Sequence, residues 1–108
     1  MCCKYSILAE SAHATIRYCH HCNTYSLLYN NVVMNFEIAG FERFKDNLVR
    51  CYEHNTKNHC IVHRKVRDIV FNTSLEGLQL LFSTEEVGEL LSLIQEAQLN
   101  EVFVETDP

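Results

Sequence analysis

The sequence has no tryptophan, one proline and three glycines, and it is short of positive charge, with nine Lys plus Arg against fourteen Asp plus Glu. So little Gly and Pro excludes a collagen-like or low-complexity chain, and 47% hydrophobic residues lie well above the range of disordered proteins. A net charge of −5 is the wrong sign for a protein that binds by neutralising phosphates, so nucleic acid is disfavoured as a partner. No apolar run approaches the roughly 20 residues that span a bilayer. The start, Met1-Cys2-Cys3-Lys4-Tyr5-Ser6, lacks a basic stretch followed by an apolar one, so the expectation is a cytoplasmic protein with no membrane segment. GxGxxG, P-loop, HExxH and GxSxG signatures are all missing, which leans the reading away from an enzyme and gives no catalytic residue. With 108 residues there is room for one domain, expected over 1–99, followed by an acidic tail over 100–108.

What the chain does have is six cysteines and six histidines. In a reducing cytosol that many thiols point to metal ligands, reactive groups or small buried hydrophobes rather than a disulfide framework. Short runs of β-formers, Tyr5 to Leu8 and Thr15 to Tyr18, flank Glu10-Ser11-Ala12-His13 and predict a hairpin in which His13 is a turn residue. Tyr25 to Tyr29 and Val32 to Phe36, joined by Asn30-Asn31, predict a second. Ile38, Phe41, Phe44, Leu48, Val49 and Tyr52 then recur at helical spacing, predicting a helix over about 37–53 and a polar loop over 55–59. Val66 to Phe71 and Leu78 to Phe82 read as two further strands. Ser83-Thr84-Glu85-Glu86 is a capping box that starts a helix with Val87, Leu90, Leu91, Ile94 and Ala97 on its apolar face.

An offset of 46 residues, the separation of Phe36 and Phe82, lays Met34 on Leu80, Phe41 on Val87, Phe44 on Leu90 and Leu48 on Ile94. The expected architecture is therefore α+β: an antiparallel meander of about six strands covered by two helices, with an internal ββα repeat.

The strongest local signal is Cys19-His20-His21-Cys22, because two thiolates separated by two residues can close on one tetrahedral cation while the chain turns. A hairpin centred between Ser11 and Ala12 would bring Cys3 or Cys2 beside Cys19 and His20, making Cys3, Cys19 and Cys22 a thiolate corner suited to zinc. The fourth ligand is open between Cys60, His63 and the knuckle histidines. Cys51-x2-His54 and Cys60-x2-His63 repeat the spacing but read more simply as a helix end and a strand. A redox dithiol ranks below metal, since a strand rather than a helix follows Cys22 and supplies no dipole to lower a thiol pKa. His63-Arg64-Lys65-Val66-Arg67 reads as a solvated basic face.

On the early Cys, the CxxC, Phe41-x2-Phe44 and Leu78-x-Leu80-x-Phe82-Ser83-x2-Glu86, the chain resembles a family of small uncharacterised bacterial proteins of about 100 residues with no established activity. The resemblance implies the strand and helix order above and a bacterial cytoplasmic setting, and it transfers no function. Cys3 or Cys2, Cys19 and Cys22 are the matching positions, while Cys51, Cys60 and His63 stand outside the pattern. The expectation for function is a small non-enzymatic module with a zinc-binding knuckle. The alternatives are a metal-free interaction protein, with a protein partner or a second copy bound at a strand edge, and a thiol redox protein.

Overall fold

Alternation of large apolar and small polar residues is what a half-buried strand requires, and it governs the first third of the chain. In the computed structural model, which describes residues 5–58, 67, 69–73 and 75–105, four strands follow in order: β1 (Tyr5–Glu10), β2 (Ala14–Cys19), β3 (Thr24–Tyr29) and β4 (Val32–Glu37). Each pairs antiparallel with its neighbour, giving the sheet order β1-β2-β3-β4. The rows Ala14↔Tyr29, Ile16↔Leu27 and Tyr18↔Tyr25 point to one face and are buried, and Met34 and Phe36 extend them onto β4. Asn30 sits at φ 53 in the β3–β4 turn, the left-handed conformation that asparagine tolerates better than most residues.

The helix α1 (Ile38–Asn58) places Phe41, Phe44 and Leu48 against the apolar face of the sheet. It passes the expected end near residue 53 and takes in much of the expected polar loop, because no Gly or Pro lies between Gly40 and Gly77 to stop it. Then come β5 (Ile69–Asn72), β6 (Gln79–Phe82) and α2 (Thr84–Glu105). Val66, expected at the start of β5, lies outside the described residues. α2 likewise runs on through Glu105 into the segment expected to be a loose tail, and no Gly or Pro follows Gly88 until Pro108.

The architecture is α+β, but the six strands among the described residues do not form one meander. Among the described residues β5 and β6 pair only with each other, as a separate two-stranded sheet. The long α1 carries the chain away from β4. The short strands then return as a hairpin that docks through aromatic rings instead of ladder hydrogen bonds: Phe71 meets Phe44, with centroids 5.1 Å apart, and Phe82 meets Tyr29 at 5.7 Å. α2 packs over β1 and β2 and against α1, while α1 covers β3 and β4, so both helices lie on the same side of the larger sheet.

Candidate functional site

The Cys19-His20-His21-Cys22 knuckle is the β2–β3 connection itself. Cys19 ends β2 and pairs with Thr24, and residues 20–23 make the turn, closed by Asn23 at φ 54. Asn23 is fixed in that conformation by the Tyr18 hydroxyl, which donates to its Oδ1 at 3.0 Å. Within the turn the Cys22 backbone N–H donates to Cys19 Sγ at 3.4 Å. In a reduced Cys19 such a donor would stabilise negative charge on the sulfur, as the outer shell of a metal–thiolate site does.

Cys19 is fully buried on the face of the sheet away from the helices, whereas His20, His21 and Cys22 are exposed. Arg17, two residues earlier on that face, lays its guanidinium 4.0 Å from the Tyr5 ring centroid, and Tyr5 is the cross-strand partner of Cys19. A cation is thereby held next to the knuckle. His20 turns to the other side, where Nε2 and Ser6 Oγ are 3.1 Å apart and its ring meets Tyr18 edge-on at 4.9 Å. Both Cys19 and Cys22 are disulfide-bonded.

The first hairpin differs from the expected register. Paired residue numbers sum to 24 from Tyr5↔Cys19 to Ile7↔Arg17 and to 25 beyond an irregularity at Leu8, instead of about 23. The extra residue lets both Leu8 and Ala9 bury, and the Asn100 amide donates to the Leu8 carbonyl at 2.6 Å. Cys2, Cys3, Cys60 and His63 lie outside the described residues. Among the described residues no three His, Cys, Asp or Glu side chains converge as a metal site. Cys51 and His54, expected at the end of a helix, lie within α1. Cys51 is half-buried against the core, where burial pushes its thiol pKa up despite Arg50, as suits an unreactive packing residue.

A second polar cluster was not apparent from local spacing. The expected capping box forms at α2: the Ser83 N–H donates to Glu86 Oε1 at 2.9 Å and the Glu86 N–H to Ser83 Oγ at 3.1 Å. The same carboxylate also receives Arg67, through Nε at 3.0 and 3.1 Å and through Nη2 at 2.9 Å, and the Tyr29 hydroxyl at 2.7 Å. Burial alone would raise the Glu86 carboxyl, but the Arg67 fork, the Ser83 amide and the Tyr29 hydroxyl outweigh it and hold the pKa at about 2. Tyr29 is pushed the other way, by burial and then by its bond to Glu86. This cluster ties β3, Arg67 and α2 together.

Among the described residues no helix is long and apolar enough to cross a membrane. No curated protein and no solved structure matches the chain. A family model matches nearly the whole sequence, over residues 1–107, and the chain belongs to the Family of unknown function (DUF6686).

Proposed function

We propose that the protein is a small, non-enzymatic, cytosolic module whose reduced Cys19–Cys22 knuckle binds zinc, with Cys3 as third ligand and Cys60 or His63 as fourth. The observation that carries this reading is the Cys22 N–H directed at Cys19 Sγ within a tight strand-to-strand turn. Arg17 beside the knuckle and the exposed His20 and His21 add support. Zinc would act by stabilisation: affinity for deprotonated thiols becomes folding free energy and pins the β2–β3 turn. The test is elemental analysis of reduced, tag-free protein, with melting curves in the presence and absence of a chelator. Stoichiometric zinc and a melt lowered by chelation are expected, and Cys22→Ser should lose the metal. Metal-free protein with an unchanged melt removes the reading.

The disulfide-bonded state of Cys19 and Cys22 favours a second reading, a thiol–disulfide protein. That reading requires one of the two thiols to titrate well below the usual ~8.5 after reduction. β3, not a helix, follows Cys22, so among the described residues Arg17 and the turn N–H are the groups placed to lower it.

The two segments β3-β4-α1 and β5-β6-α2 are, in our reading, copies of one ββα unit. Phe41, Phe44 and Leu48 are buried in the first, and Val87, Leu90 and Ile94 are buried at the equivalent positions of the second.

A further inference from the structure

One unexplained feature is a cleft of about 510 Å³ between β4, the first turns of α1 and the β5–β6 hairpin. It exists because the hairpin docks through rings and not through the β4 edge. Its floor is aromatic: Phe36 lies 5.0 Å from Phe44, and Phe44 lies 5.1 Å from Phe71, centroid to centroid. One wall is the stripe Gly40, Arg43 and Asn47, residues three and four apart and hence on one side of α1. At Gly40 the wall carries no side chain, and a Cβ there would sit in ordinary contact, 3.8 Å from Arg43 Nη2 and 3.9 Å from the Phe36 side chain.

Arg43 is exposed at the mouth and makes no ion pair or hydrogen bond with the described residues. A guanidinium with an unspent fork, an amide one turn further on and an apolar floor form the donor set for a carboxylate carried on an apolar body. The volume is that of a small-molecule site. Glu37 on the rim and the net charge of −5 work against a second negative charge.

We infer that this cleft is a binding site for a small amphipathic monocarboxylate, its carboxylate on Arg43 and Asn47 and its apolar body over Phe36, Phe44 and Phe71. The site is separate from the cysteine knuckle and does not depend on metal.

The probe is 3-phenylpropionate titrated into the full-length chain and followed by amide chemical shifts, with 3-phenylpropan-1-ol as the uncharged control. Saturable shifts centred on Gly40, Asn47 and Phe71 are expected, with the alcohol about tenfold weaker. Arg43→Gln, on the exposed side of α1, should leave the melting temperature unchanged and bring the acid down to the level of the alcohol. The inference is overturned if the acid gives no saturable shifts at millimolar concentration, if the shifts centre elsewhere, if acid and alcohol bind equally, or if Arg43→Gln binds as the parent does.

Discussion

The Glu86 carboxylate accepts from Arg67, Tyr29 and Ser83, and its pKa of about 2 makes it a pH sensor of stability. A carboxyl whose folded pKa lies below its unfolded value stabilises the fold above the unfolded pKa and ceases to do so as pH falls through the folded one. The window here runs from about 4.5 down to about 2. Arg67 is 60% exposed, so solvent screens the fork, and the stability lost across that window should be on the order of 1 to 2 kcal/mol. Urea denaturation at pH 6 and pH 3 should show this slope in the parent and a shallower one in Glu86→Gln; equal slopes would mean that another carboxylate carries the acid sensitivity. Half of the cluster is legible in sequence, because Ser83-x-x-Glu86 is a local pattern. Arg67 and Tyr29 stand 19 and 57 residues from Glu86, and nothing local announces them. Gly77 is a simpler case. It takes φ +87 in the β5–β6 turn with open space around it, so Gly77→Ala should cost about 1 to 2 kcal/mol from backbone strain alone, measurable as a lower denaturation midpoint with an unchanged slope.

At the scale of elements, the two helices meet where Gly88 of α2 faces the Tyr52 ring of α1. An added Cβ at Gly88 would lie 3.1 Å from Tyr52 Cε1, closer than ordinary contact. Alanine improves helix propensity over glycine by about 1 kcal/mol, but here that gain is offset by pressing on the ring. Gly88→Ala should therefore be neutral to destabilising in the parent and stabilising by about 1 kcal/mol in a Tyr52→Ala background, a double-mutant coupling readable from thermal melts. Matching effects in both backgrounds would show that the helices do not approach closely at this point. Phe41, Phe44, Leu48, Val87, Leu90 and Ile94 mark the buried faces of both helices in the sequence, and all six are buried. The end of α1 was not legible, because Asn55-Thr56-Lys57-Asn58 has loop-like composition and yet contains no residue that breaks a helix. Register in the first hairpin was lost for a related reason: the irregularity at Leu8 adds a residue that strand alternation alone does not reveal.

For the whole molecule, the division of six strands into two sheets has a dynamic consequence. Strand propensity identifies β5 and β6 but not their partners, since pairing across α1 depends on how the helix packs and not on any local signal. The β2 and β3 strands are hydrogen-bonded on both sides and covered by both helices. Among the described residues the β5–β6 hairpin has only its own ladder of four residue pairs, with Ile69, Phe71 and Phe82 as its buried anchors on the core. Two-stranded hairpins are marginal without such docking, and segments with few buried contacts open below the global unfolding free energy. Native-state hydrogen exchange should accordingly find the amides of Ile69–Asn72 and Gln79–Phe82 opening at lower free energy than those of Ala14–Cys19 and Thr24–Tyr29. Phe71→Ala should widen that gap, because it removes the ring that touches Phe44 while leaving the β2–β3 ladder intact. If the hairpin instead exchanges together with β2 and β3, and Phe71→Ala lowers both sets equally, the two sheets open as one cooperative unit and the aromatic contacts couple them as firmly as a shared ladder would.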